Sequence, residues 1–212
     1  MLHIKSFIFS PIQENTYILY NEFKDCIIID PGCYYDTEKE EMDQFIKEMV
    51  LQPKMLLNTH CHLDHVFGNK FIAEKYGLNL HIHPAEKKML DLAPASGLMY
   101  NMPFDNYTGE LLYFQEDDLI ELGEDVLQVI ATPGHSPGSV SFYSKKDGFV
   151  ISGDALFNRS IGRTDLPGGN HEQLIKNIKD KLFVLPGETD VYSGHGPVTT
   201  IEEEKKFNPF LN

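Results

Sequence analysis

The stretch 58-NTHCHLDHVFGN-69 sets His60, His62, Asp64 and His65 close together, directly after the apolar run Met55-Leu56-Leu57. Imidazoles and a carboxylate crowded at the end of a buried strand are costly unless something pairs with them. Three more stretches repeat the design. VLQVIATPGH ends at His135, FVISGD at Asp154 and DVYSGH at His195. Each time an apolar strand stops in a Gly- or Pro-containing turn and presents a His or an Asp. Strand ends on one side of a sheet converge in space, and glycine permits the sharp turns they need.

The candidate set is therefore His60, His62, Asp64, His65, His135, Asp154 and His195. Neutral imidazole nitrogen and carboxylate oxygen suit Zn²⁺, Fe²⁺ or Mn²⁺. The ligand types exclude a cysteine-rich structural zinc site. The set exceeds what one ion needs and suits two ions that share an aspartate. Two dications ~4 Å apart can hold a hydroxide whose parent water has a pKa of roughly 7. The remaining histidines read as structural. His3 and His171 are isolated, and His81 and His83 share a face in HIHP without a carboxylate beside them at ligand spacing.

The whole chain bounds the options. Its 212 residues suffice for one sizeable core, and a single domain over 1–212 is expected. The formal charge of −14 comes without any clustered Lys/Arg run, which argues against a nucleic acid partner. The start, MLHIKSFIFSPIQENTY, makes a poor signal peptide, and no apolar run is long enough to cross a bilayer. Cys26, Cys33 and Cys61 are an odd set without paired spacing, which fits reduced thiols in a cytoplasmic protein. Cys61 lies between two candidate ligands, and alternation turns it away from them as a packed thiol.

Periodicity supplies the layers. Ile4–Phe9, Thr16–Tyr20 and Cys26–Ile29 read as strands, followed by a helix with a Thr37/Glu40 capping box and an apolar face of Met42, Phe45, Ile46, Met49 and Val50. Met55–Thr59 is a buried strand, Phe67–Tyr76 a helix closed by Gly77, Leu78–His83 a strand and Ala85–Leu90 a short helix. Residues 91–110 have no clear period and read as a long loop or lid, in which Met99, Tyr100 and Phe104 offer an apolar cover. Strands resume at Leu111–Gln115, Leu119–Leu122, Val126–Ala131, Ser139–Tyr143 and Phe149–Ile151. A helix capped by Asn170 with Gln173 and a strand at Asp190–Ser193 complete the pattern. Strands then helices, twice over, predict two sheets covered by helices.

At this point the sequence resembles the metallo-β-lactamase-fold hydrolases. The motif H-x-H-x-D-H is His60–His65, the T-P-G-H-S-P-G stretch is Thr132–Gly138, and S-G-D and S-G-H-G-P carry Asp154 and His195. The resemblance spans nearly the whole chain and implies a four-layer αββα sandwich with metals at one edge. It assigns His60, His62 and His135 to a first metal and Asp64, His65 and His195 to a second. Asp154 becomes the bridge, and Asp30 has a supporting or turn role. Two zinc ions are implied, with iron or manganese as options, and Asp64 and Asp154 act through the metals.

Within that family GDALFNRSIGRTDLPGG (153–169) and GHGPVTTIEEEKKFNPF (194–210) look most like glyoxalase II, in its short bacterial form. The implied reaction is hydrolysis of a 2-hydroxyacyl thioester, a small-molecule substrate, by the shared hydroxide. Arg163 occupies the position at which a basic residue helps hold the glycine carboxylate of glutathione. Its alternative partner is Asp165. The chain ends soon after NPF, so the C-terminal helical glutathione-binding domain of the larger enzymes is expected to be absent, and the tyrosine that follows the basic position there is missing here. The thiol carrier is left open.

Other readings make different demands. Persulfide dioxygenase, a one-iron enzyme of similar sequence, usually has His-Asp-Tyr where this chain has Gly194-His195-Gly196-Pro197. A flavodiiron oxidase would replace His62 with glutamate. Many true β-lactamases place cysteine at the position of Asp154, and are exported. A non-catalytic metal-binding module would close its site with four protein ligands.

Overall fold

The computed structural model describes residues 1–211. The first sheet contains β1 (His3–Phe9), β2 (Glu14–Tyr20), β3 (Asp25–Ile29), β4 (Gln52–Leu57), β5 (Leu80–Ile82) and β6 (Leu111–Tyr113), in that spatial order. The first three strands pair antiparallel and the last three continue in parallel. The second sheet contains β7 (Leu119–Leu122), β8 (Asp125–Ala131), β9 (Val140–Ser144) and β10 (Phe149–Gly153). A small hairpin of β11 (Leu156–Phe157) and β12 (Ser160–Ile161) follows, and β13 (Asp190–Ser193) and β14 (Thr199–Thr200) then complete the second sheet beyond β10.

Alternation along the strands builds the layers. Leu19, Ile27, Ile29 and Leu57 from the first sheet meet Leu127, Val129, Phe142 and Ile151 from the second in one inner core. Their neighbours face outward. Ile18, Cys26, Ile28 and Leu56 pack under α1 (Asp36–Glu48), the short α2 (Leu63–Val66), α3 (Asn69–Tyr76) and α4 (Lys87–Met99). Ile130, Tyr143, Val150 and Val191 pack under α5 (His171–Asn177), its π-turn continuation Ile178–Leu182, and α6 (Ile201–Phe207). Burial of each such side chain contributes roughly 1.5–3 kcal/mol. The result is the expected αββα sandwich. Among the described residues no helix is long and apolar enough to cross a membrane.

Two expectations need correction. Residues 91–110 do not form a loop throughout, because α4 runs from Lys87 to Met99 straight through Pro94. Proline has no N–H for the carbonyl four residues back, and Asn106 fills the gap by donating its Nδ2 to Leu90 O at 2.8 Å. The irregular segment therefore begins only at Tyr100. The start of α1 also differs. Its N-cap is Tyr35, and Glu38 accepts from Tyr35 N (2.9 Å), Tyr34 N (2.8 Å) and Ser10 N (2.7 Å), leaving Thr37 inside the helix. The Asn170 cap is as expected, with Gln173 N donating to Asn170 Oδ1 at 3.0 Å.

Candidate metal centre

All seven candidate side chains meet at one rim of the sandwich. β4 leads to His60 and His62, β8 to His135, β10 to Asp154 and β13 to His195, while α2 carries Asp64 and His65. His60 Nε2 lies 3.2 Å from His135 Nε2, and His62 Nδ1 lies 2.7 Å from the same atom. On the other side His195 Nε2 is 3.2 Å and His65 Nε2 3.8 Å from Asp64 Oδ2. Asp154 stands between the groups. Its Oδ1 is 3.4 Å from His65 Nε2, and its Oδ2 is 3.4 Å from His135 Nε2 and 3.7 Å from His195 Nε2. Such closeness needs glycine at Gly194, where a Cβ would stand 2.1 Å from Asp154 Oδ1.

Four of the five imidazoles are aimed from behind. His135 Nδ1 donates to Arg163 O at 2.7 Å, His195 Nδ1 to Gln13 O at 3.1 Å, and His65 Nδ1 to Asp30 Oδ2 at 3.1 Å. His60 Nδ1 lies 3.1 Å from Thr59 Oγ1, which itself donates to Asp30 Oδ2. A donor on Nδ1 fixes the tautomer and leaves Nε2 a bare lone pair facing its counterparts. His62 is turned the other way, with Nδ1 in the cluster. His62 Nε2, His65 Nε2 and Asp154 Oδ1 are buried without hydrogen-bond partners. Lone pairs converging on each other and on carboxylates repel unless a cation lies among them. The donor set thus fits divalent ions, and His60/His62/His135 and Asp64/His65/His195 are each grouped tightly enough to hold one. Burial, reinforced by neighbouring imidazoles, pushes His60 well down from the usual histidine range and His62 to about 4, which keeps both neutral and able to bind.

Asp30 also lies near His60 and His65, but its oxygens are already engaged. They accept from Thr59 N (2.7 Å), Asn58 Nδ2 (3.1 Å), Thr59 Oγ1 (2.6 Å) and His65 Nδ1. It is a support beneath the ligands, as its sequence position suggested. The two sheets are stitched together at this corner. Asn15 N donates to Gly194 O (2.7 Å), Asn15 Nδ2 to Ser193 O and Gly196 O (both 2.9 Å), and Tyr17 Oη to Ser193 O (2.6 Å).

Arg163 is exposed and grips Asp165, its Nε and Nη2 donating to the two carboxylate oxygens at 2.8 Å each. Cys61 is buried in the outer core of the first sheet, and burial raises its thiol well above the usual range. Met99 and Tyr100 are exposed at the end of α4, and Phe104 packs on Phe67 with ring centroids 4.9 Å apart. His81 Nδ1 faces Leu56 O and His83 accepts from Ala85 N, so both are structural. Three fully buried carboxylates, Glu14, Glu86 and Glu204, escaped sequence reasoning. Nothing in SPIQENT, HPAEKK or IEEEKKF distinguishes them from surface acids.

Residues 10–195 match the model of the metallo-beta-lactamase superfamily. The chain belongs to the metallo-β-lactamase superfamily. Among its relatives in that superfamily is the probable metallo-hydrolase YqgX of Bacillus subtilis, 42% identical over 95% of this chain and 94% of its own. The hydroxyacylglutathione hydrolase GloC of Haemophilus influenzae is 34% identical over 94% of this chain and 93% of its own. Of solved structures, BLEG-1 B3 metallo-beta-lactamase superposes with a TM-score of 0.90 at 39% identity, covering 99% of this chain and 100% of its own. TTHA1623, solved in a di-iron-bound form, gives 0.88 at 34% identity, covering 98% and 100%. As a superfamily member the chain is a metallo-hydrolase with His/Asp groups suited to divalent metals.

Proposed function

We propose that the protein is a binuclear metallohydrolase of the cytoplasm, using zinc to cleave a 2-hydroxyacyl thioester of a small-molecule thiol. The observation that carries this reading is the pair of triads meeting across Asp154, with buried ligand atoms that have no other partner. The named activity of GloC supports the thioester. His195, 26% exposed at its side chain, marks where the site is reached from solvent.

Two cations bound there supply a water activated near neutral pH and positive charge for the developing oxyanion. The protein's own groups supply orientation. Asp154 spans both triads and can accept a hydrogen bond from the attacking water, aiming its lone pair at the acyl carbon. Asp64 and the imidazoles would hold the ions, and the supports behind them keep the lone pairs in place. The departing thiolate is weakly basic, so the site needs no dedicated acid. Arg163 can take a substrate carboxylate bidentately once that carboxylate displaces Asp165.

Metal content of the purified protein, followed by turnover of lactoyl thioesters of glutathione and of other thiols, tests the proposal. Two metals per chain and thioester hydrolysis are expected. One iron with oxygen uptake on a persulfide, or hydrolysis confined to a β-lactam, would overturn it. The β-lactam arm is included because BLEG-1 carries that name.

A further inference from the structure

We infer that Glu86 is a positioning residue for the His60/His62/His135 triad, strapping together the two loops that carry it; this rests on the metal-centre reading above. Glu86 is fully buried at the end of the single turn Pro84–Glu86 that leads into α4. Its Oε2 accepts from the backbone N–H of Cys61, the residue between His60 and His62, at 2.8 Å. Its Oε1 accepts from Gly138 N at 2.6 Å and from the hydroxyl of Ser136, which follows His135.

One loop leaves β4 of the first sheet and the other leaves β8 of the second. Where the strands end, Val140 N donates to Thr59 O at 2.9 Å; beyond that bond Glu86 is the link between the backbone of the 60–62 loop and the 135–138 loop among the described residues. The distance between His62 and His135 therefore depends in part on a carboxylate that touches neither ring. No Lys or Arg pairs with Glu86 among the described residues, and both of its oxygens are engaged by these donors. Gly138 serves the same contact, because a Cβ there would stand 3.0 Å from Glu86 Cγ and 2.7 Å from His83 Nδ1. Charge-assisted bonds to backbone N–H groups are about twice as strong as neutral ones. An ordinary buried acid needs only to be satisfied; this one is satisfied wholly by the two loops.

Glu86→Gln is the informative change. Its amide keeps one acceptor for one loop and turns an NH₂ toward a donor on the other. Zinc affinities are read by chelator competition on wild type and variant, with His62→Ala identifying which step belongs to the first triad. The expected result is a ~10- to 100-fold loss at the first triad, with the other step unchanged within about threefold. Ser136→Ala, which removes a single donor, gives the same selectivity at smaller size and covers the case in which Glu86→Gln does not fold. A general loss of stability would weaken both steps together. Equal weakening of both, or no change in either, overturns the inference and leaves the metal centre intact. Failure of the wild type to bind two zincs overturns both.

Discussion

Around His60, His62 and His135 the neighbours are other imidazoles, a hydroxyl and backbone groups, with Asp154 Oδ2 3.4 Å from His135 Nε2. His65 instead rests on Asp30 at 3.1 Å and faces Glu14 Oε1 at 3.9 Å, with Asp64 and Asp154 on its other edge. Burial works against protonation in both places. At His60 and His62 it wins, and both are pushed down. At His65 burial is outweighed by Asp154, Asp64 and Asp30, and the imidazole is raised well above its usual range. Glu14 is itself pushed well up by burial, with His65 opposing. The same ligand type thus serves two electrostatic purposes. Imidazole ligands leave a bound dication more of its charge for a substrate oxygen, whereas a triad richer in carboxylates spends more of that charge on holding the ion.

The contrast can be broken most severely at the residue both triads share. Asp154→Ala should lower thioesterase kcat on the order of a hundred- to a thousandfold and weaken both metals, measured by steady-state kinetics and metal analysis. Asp30→Asn should separate the triads instead. It alters the acceptor for His65 Nδ1 directly and reaches His60 only through Thr59 Oγ1, so the second metal weakens by roughly 10- to 100-fold in chelator competition and the first weakens less.

A remote control sharpens the comparison by touching neither triad. Burial pushes the Asp43 carboxylate up, but hydrogen bonds from Lys47, Lys75 and Tyr76 outweigh it and hold the pKa at about 2. A depressed carboxylate stabilises the fold above its unfolded value near 3.8 and loses that contribution as the pH falls toward 2. Asp43→Asn should therefore cost about 1–2 kcal/mol at pH 7, after allowance for screening, and about half of that at pH 3, by denaturant unfolding. Both metal affinities should stay as they are. The smallest effect is expected at Arg163, which serves the first triad only through its backbone carbonyl. Arg163→Ala should raise KM for a carboxylate-bearing thioester by about fivefold and leave kcat unchanged.

The gathering of the seven side chains was legible because seven costly polar groups at four strand ends have few physical explanations. The layers were legible because β3, β8 and β10 alternate cleanly between inner and outer cores. α4 was not, since Pro94 and Gly97 erase its helical signal, and its rescue by Asn106 comes from outside the helix. Glu86 was hidden for a related reason. Its partners Ser136 and Gly138 lie 50 and 52 positions along the chain, and composition cannot reveal a donor supplied from so far. The start of α1 slipped because Thr37/Glu40 and Tyr35/Glu38 offer competing stops, and the acceptor that wins also collects Ser10 N.

The grip of Asn15 and Tyr17 on residues 193–196 has a mechanical meaning. It is a rivet between plates, so shear of one sheet over the other is stopped at the His195 corner. Relative sliding of the sheets is therefore expected to be least at that corner.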